Sequence, residues 1–242
     1  MLVVPRLGDP LWTVGRARLI WAANTAQAYG QLGYDACLLG LHTDQRALAG
    51  DSPGEPFSLS APPDELCRFY GVEGRHFRIL TPHARWWRDL GRWRLGRAAR
   101  WRVQRFLPDE LLAHLDIVHT RDFHLASHAV ERGLEVIYED HNEPQNQSFL
   151  HADRSCFFAP NFRLAVASTE RVRDRLIRWG APLAKTAVGH SGLNAASLQE
   201  VPEERQTAIR AEFLGQHCTH LLAYAGGLHS WRGIRHLRQF AQ

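Results

Sequence analysis

The residues of this sequence that are best suited to phosphate chemistry lie close to its C-terminus. An apolar run, HLLAYA (220–225), is followed by Gly226 and Gly227, and Arg232 comes five residues later. Glycines let backbone N–H groups approach a diphosphate closely, and a guanidinium group binds phosphate oxygens in pairs. The pattern fits a diphosphate-binding loop, but a glycine pair after a strand is more often a tight turn.

A histidine stands directly beyond a second apolar run. The run LEVIYE (134–139) has the composition of a strand, and His141 follows it. Binding sites in α/β sheets collect at the carboxyl ends of strands, which makes His141 a candidate for contact with a substrate. A loop histidine whose ring nitrogens are satisfied locally fits the same position. We expect the carboxylates around it, Glu139, Asp140 and Glu143, to be solvated.

His124 and His128 are four residues apart, a spacing with which two histidines on one helix face bind zinc. The acidic partner of the zinc-protease pattern is absent, and the stretch is typical of an ordinary amphipathic helix. We therefore predict no metal.

Arginines and tryptophans are interleaved over residues 85–105, which hold eight arginines and four tryptophans. Three interpretations fit this segment: a solvated helix pair whose tryptophans pack on the core, a patch that binds anionic membrane headgroups, and a nucleic-acid surface. No recognised nucleic-acid-binding module accompanies it, so nucleic acid is not a predicted partner. The candidate membrane contacts are Trp93, Arg94, Arg97 and Trp101.

The composition is that of a globular protein, with 242 residues, 45% hydrophobic, 22% charged and a net charge of +4. No apolar run approaches the ~20 residues that span a bilayer, and the N-terminus lacks the features of a signal peptide. These features predict a soluble, cytoplasmic protein. The four cysteines have no metal-binding or redox spacing, and we expect buried, reduced thiols.

Strand and helix signals alternate along the chain, which predicts an α/β fold with a parallel sheet and helices on its faces. The predicted strands are 2–7, 34–41, 115–119, 134–139, 162–167, 186–190 and 220–225. The predicted helices are 17–32, 123–132, 169–179 and 202–215. Gly33, Gly133 and Gly180 are the expected helix stops, Ser168 the expected cap of the third helix and Pro202 the first residue of the fourth. Residues 42–107 show no regular pattern.

Four stretches resemble, in order and spacing, glycosyltransferase family 4, a large group of retaining transferases with the two-domain GT-B fold. They are ANTAQAYGQLGYDACLLG (23–40), LDIVHTRDFHLASHAVERGLEVIYEDHN (115–142), LAVASTERVRDRLIRWGAPLAKTAVGHSGLN (164–194) and LAYAGGLHSWRGI (222–234). The last ends in Arg232-Gly233, where the family has Lys-Gly or Arg-Gly. One departure is Gly227, which stands where many members carry an arginine.

The resemblance implies a Rossmann-like acceptor domain over residues 1–216 and an incomplete, truncated donor domain over residues 217–242. It implies that a hexosyl group passes from a UDP- or GDP-sugar, with retention, to a glycan or a lipid-linked acceptor. No metal or cofactor beyond the sugar nucleotide is implied. His141 is expected to face the donor sugar, and Gly15 to approach the acceptor or a phosphate, a position that a plain turn glycine also fits. The expected donor-binding residues are Gly226, Gly227, Arg232 and Gly233.

Two other functions fit the same features. One is a non-catalytic module that binds glycan, an anionic membrane or a separate donor-domain chain; the other is a sugar-nucleotide epimerase of the same architecture. For the transferase we expect a cytoplasmic protein in peripheral contact with the inner face of the membrane. We expect the 242-residue chain itself to be inactive, because the second wall of its donor cleft is missing.

Overall fold

The chain divides into two compact units, Met1–Ser197 and Leu198–Gln242. A computed structural model describes residues 1–4, 17–39, 57–82, 112–141, 154–190 and 200–213. The domain boundary that the sequence predicts, after residue 216, lies outside the described residues.

Eight strands of the first unit form one sheet. They are β1 (Leu2–Val4), β2 (Cys37–Leu39), β3 (Phe57–Ser60), β4 (Arg78–Pro82), β5 (Ile117–Thr120), β6 (Glu135–Asp140), β7 (Phe162–Ala167) and β8 (Thr186–Val188). Their order is β3-β4-β2-β1-β5-β6-β7-β8, and every neighbouring pair is parallel except β3 with β4. The sheet confirms the predicted α/β, Rossmann-like fold.

Helices cover both faces of this sheet. Among the described residues, the first unit contains the helices α1 (Ala17–Gln31), α2 (Asp64–Tyr70), α3 (Phe123–Glu131) and α4 (Glu170–Arg178), and the second unit contains α5 (Glu203–Phe213). Because successive strand residues point to opposite faces, the central strand β1 feeds two cores. Val3 packs with α1 and α2, whereas Leu2 and Val4 pack with α3 and α4.

Glycines end the three predicted helices of the first unit as expected. Gly33, Gly133 and Gly180 have φ values of 90°, 82° and 102°, a left-handed conformation that costs glycine little. The predicted cap of α4 is wrong by one residue. Thr169, not Ser168, accepts the hydrogen bond from Val172 N–H, because Ser168 N–H still donates to Asp140 in continuation of the β6–β7 ladder.

The middle of the chain is more regular than its sequence indicates. Between residues 57 and 82 it forms β3, α2 and β4, none of which we predicted. In β4 the buried residues Ile79 and Leu80 extend the sheet beyond β2, and β3 pairs antiparallel with β4 at the edge. These elements have 4, 7 and 5 residues, which is too short for a periodic pattern to emerge next to so many prolines and glycines.

The fourth predicted helix is present as α5, with its start shifted by one residue. Pro202 precedes the first helical residue rather than occupying it, and its carbonyl accepts a hydrogen bond from Gln206 N–H. The described part of the helix ends at Phe213.

Cysteine burial matches the prediction at two positions. Cys37 and Cys156 are buried free thiols, and Cys67 is half-buried; Cys218 lies outside the described residues. None of the described helices is long and apolar enough to cross a membrane.

Candidate functional site

The order in which the chain adds strands to the sheet reverses at β1, which pairs with β2 on one side and with β5 on the other. The chain builds outward from β1 to β2 and β4 first, and then returns to add β5, β6, β7 and β8 on the opposite side. Ligands of open α/β sheets bind at the carboxyl ends of the strands beside such a switch point. The polar side chains at this edge of the sheet are therefore the candidates for a binding site.

Two buried polar residues near this edge face α1. His119 of β5 is in register with Val3 of β1 and Ile137 of β6, so the three share one face of the sheet. Glu139 follows Ile137 by two residues and lies on that same face. Val3 packs against α1, which places the imidazole and the carboxylate beneath this helix.

Glu139 bridges two histidine rings. One carboxylate oxygen, Oε1, hydrogen-bonds with Nε2 of His141, and the other, Oε2, lies 3.2 Å from Nε2 of His119. The side chains of Glu139, His119 and His141 are 10%, 7% and 17% exposed. The His119 contact is close but is not directed as a hydrogen bond. The three residues form an almost fully buried cluster whose outer end is His141.

Two aromatic residues of α1 complete the cluster. They are Trp21 and Tyr29, eight residues apart and therefore on one helix face. The Tyr29 hydroxyl lies 3.1 Å from Nδ1 of His119. Trp21 meets the rings of His119 and His141 edge to face, with centroid separations of 5.3 and 6.4 Å. The guanidinium group of Arg121 lies 5.2 Å from the centre of the Trp21 ring, a cation–π distance.

The surroundings of Glu139 and Tyr29 fix their ionisation. Burial alone raises the pKa of Glu139, but its contacts with His119 and His141 outweigh burial and lower that pKa to about 2. Burial, followed by the negative charge of Glu139, raises the pKa of Tyr29 to about 12. At neutral pH the cluster therefore holds a carboxylate and a protonated phenol.

The expectation that Glu139 and Asp140 are solvated is wrong. Strand β6 extends through Asp140, and each carboxylate has a basic partner on a neighbouring element. Asp140 pairs with Arg175 of α4, with side-chain exposures of 0% and 6%, and Arg175 lies over the ring of Trp179 at 4.7 Å. Glu143 lies outside the described residues.

Of the site residues predicted from the sequence, His141 is the one within the described part of the chain, and it belongs to the cluster. The donor-loop, first-loop and Arg/Trp candidates lie outside it: Gly226, Gly227, Arg232, Gly233, Gly15, Trp93, Arg94, Arg97 and Trp101. The sequence interpretation missed His119 and Tyr29 as partners of this site. A signal was available, because His119 ends an apolar run of its own, and the carboxyl ends of parallel strands meet at one edge.

The two histidines of α3 do not join this cluster. Nδ1 of His128 lies 3.8 Å from Glu131 on the same helix, and the backbone N–H of His124 donates to the helix cap Asp122. Among the described residues, no group of three or more histidine, cysteine or acidic side chains converges as a metal site.

The fold and the cluster define a Rossmann-like α/β protein with a carboxylate-bridged histidine pair at the carboxyl edge of its sheet. No protein-family model, curated protein or solved structure matches this chain.

Proposed function

We propose that this chain is the acceptor-side half of a retaining glycosyltransferase, which moves a hexosyl group from a UDP- or GDP-sugar to a glycan or a lipid-linked acceptor. The observation that supports it most is the position of His141. This residue, named from the sequence resemblance, lies at the carboxyl edge of a Rossmann-like sheet and is bound by the buried carboxylate of Glu139.

The cluster has the chemistry that a sugar requires. Hexose hydroxyl groups both donate and accept hydrogen bonds, and the hexose ring carries apolar C–H faces. His141 supplies a ring nitrogen at the more exposed end of the cluster, and Trp21 supplies an aromatic surface beside it. In the transfer, the bond between the hexosyl carbon and the diphosphate breaks, and the diphosphate leaves with the electron pair. The acceptor oxygen forms the new glycosidic bond, and its proton goes to the departing phosphate.

On the donor side, the proposal assigns diphosphate binding to the backbone of Gly226 and Gly227, together with Arg232 and Gly233. A diphosphate leaving group needs N–H donors and positive charge where its own negative charge develops. This assignment rests on the sequence resemblance.

We also propose a peripheral location at the cytoplasmic face of a membrane. The support is the composition of residues 85–105, where arginines suit anionic headgroups and tryptophans suit the interface. Sedimentation with vesicles of anionic and of zwitterionic lipid tests it. Binding that requires anionic lipid and weakens with salt supports the proposal, and equal binding to both vesicles contradicts it.

The transferase proposal is tested by a product assay. The protein, expressed from its complete reading frame, is incubated with UDP- and GDP-hexoses and with glycan and lipid-linked acceptors. We expect a glycosylated acceptor by mass spectrometry, with the donor's anomeric configuration by NMR. A folded protein that only epimerises the sugar nucleotide, or that yields no product across the panel, overturns the proposal.

A further inference from the structure

The cluster poses the question of which ring nitrogen carries each histidine proton. We propose that Glu139 is a positioning residue that holds His119 and His141 in the Nε2-protonated tautomer, which leaves Nδ1 of His141 to accept a hydrogen bond from a ligand hydroxyl group. This inference deepens the proposed transferase function and rests on it for the identity of the ligand.

The first step of the argument is the chemistry of the bridge. A carboxylate has only acceptor oxygens, and both oxygens of Glu139 face an Nε2 atom, one on His119 and one on His141. The hydrogen bond at one ring nitrogen sets which nitrogen of a neutral imidazole is protonated. Oε1 of Glu139 accepts the hydrogen bond from His141, so the neutral ring of His141 carries its proton at Nε2 and a lone pair at Nδ1. For His119, the 3.2 Å contact between Nε2 and Oε2 of Glu139 favours the same proton position, because a carboxylate cannot donate.

The environment of His119 agrees with this assignment. Its Nδ1 atom lies 3.1 Å from the hydroxyl of Tyr29, a phenol whose pKa is raised to about 12 and which keeps its proton. The phenol donates and Nδ1 accepts. These contacts form one row from Tyr29 through His119 and Glu139 to His141, in which each proton has a defined place.

At the outer end of this row of contacts, Nδ1 of His141 has no hydrogen-bond partner among the described residues. The side chain of His141 is also more exposed than those of Glu139 and His119. A lone pair at that position requires a ligand that donates. Hydroxyl groups donate, whereas the oxygens of a fully ionised phosphate only accept. The carboxylate of Glu139 next to the ring also repels an anion. For the proposed sugar-nucleotide substrate, a hexose hydroxyl group therefore fits this position and the diphosphate does not.

Substitution by glutamine separates the hydrogen-bonding role of Glu139 from its role in packing. Glutamine has nearly the same shape as glutamate but carries an amide N–H donor. A glutamine at position 139 has one carbonyl oxygen, which accepts from one ring, and one amide nitrogen, which must donate to the other. The ring that faces the amide has to release its Nε2 proton. Glu139→Gln thus reverses the tautomer of one histidine while the packing stays.

The test is long-range proton–nitrogen NMR of the 242-residue chain labelled with 15N-histidine, which distinguishes the two neutral tautomers and the cation. We expect Nε2-protonated rings at His119 and His141 in the native chain, and one Nδ1-protonated ring in Glu139→Gln. Glu139→Asp, which remains acceptor-only, keeps both native tautomers. The matched control is Glu135→Gln on the same strand, a half-buried residue paired with Arg163, which should change neither ring.

An Nδ1-protonated or cationic His141 in the native chain, or native tautomers in Glu139→Gln, overturns the inference. The ligand assignment is tested by titration with a methyl hexoside and with dimethyl phosphate, an ionised diester that, like the diphosphate of a sugar nucleotide, has no O–H donor. We expect the Nδ1 resonance of His141 to respond to the glycoside and not to dimethyl phosphate; the reverse, or no response to either at the solubility limit, contradicts it. The tautomer readout needs no turnover, so a missing transferase activity and a wrong tautomer are distinguishable results.

Discussion

Glu139 and Asp140 are adjacent residues at the end of β6 whose carboxylates bind basic groups on opposite faces of the sheet. Glu139 contacts His119 and His141 on the face covered by α1, and Asp140 pairs with Arg175 on the face covered by α4. The alternation of side chains along a strand explains the division. The first carboxylate organises the candidate site and the second anchors a helix, so their substitutions should have different consequences.

Stability in acid should depend on Glu139. Its pKa is lowered from 4.5 to about 2 in the folded protein. A lowered pKa stabilises the fold above the unfolded value, and this contribution disappears as pH falls from 4.5 towards 2. The shift corresponds to on the order of 3 kcal/mol. We expect the free energy of unfolding of the native chain to exceed that of Glu139→Gln at pH 6, with the difference closing through that window.

Urea unfolding at a series of pH values measures this difference. Glu135→Gln, at a half-buried position of the same strand, is the control and should show a much smaller change. A gap between the native chain and Glu139→Gln that stays constant from pH 6 to pH 2 would contradict the assigned ionisation.

Removing Arg175 should destabilise the first unit strongly. Arg175→Met removes one side of a buried ion pair and takes the Arg175 cation away from the buried carboxylate of Asp140, which costs about 3–5 kcal/mol. The double variant Asp140→Leu/Arg175→Met removes both charges and should recover more than half of that loss. Chemical denaturation of the two variants gives both values.

The exposed pair of Arg163 with Glu135 supplies the comparison for this prediction. Arg163→Ala should cost less than about 1 kcal/mol, because exposed ion pairs contribute little. Equal losses in Arg163→Ala and Arg175→Met would mean that burial does not set the strength of these pairs.

Gly30 should not tolerate a side chain. A Cβ atom at this position of α1 would lie 1.6 Å from the backbone carbonyl oxygen of His76. Alanine favours a helix by about 1 kcal/mol over glycine, but the helix would have to move away from residues 74–76. We expect Gly30→Ala to be destabilised by about 1–3 kcal/mol in thermal or urea unfolding.

Gln31→Ala, at an exposed position of the same helix, is the control and should change stability by less than about 0.5 kcal/mol. Unchanged or increased stability in Gly30→Ala would show that α1 does not pack against residues 74–76 as described.

Among the described residues, long apolar runs and their glycine stops were enough to predict six of the eight strands, the four longer helices and the parallel sheet. Each of these elements carries its own signal, as in FRLAVA (162–167), which forms β7 with those bounds. The edge strand β3 and its partner β4 carry a weaker sequence signal. FSLS (57–60) is short and half polar, and its pairing with β4 comes from the tertiary structure.

The site was predictable only in part for a related reason. His141 stands out because it follows a strand. Glu139 and His119 become partners only through the register that sets His119 opposite Ile137. The sequence of one strand does not determine its register with a neighbouring strand. Tyr29 lies within the predicted helix 17–32, but its hydroxyl contact with His119 depends on where that helix crosses the sheet.

The central claim, that His141 meets the sugar during transfer, is tested most directly by the turnover of His141→Ala in the transfer assay. The control is His114→Ala, an exposed histidine ahead of β5. We predict a ten-fold or greater fall in kcat/KM for His141→Ala, the order of one lost transition-state hydrogen bond, and a native value for His114→Ala. A native kcat/KM in His141→Ala would contradict the claim.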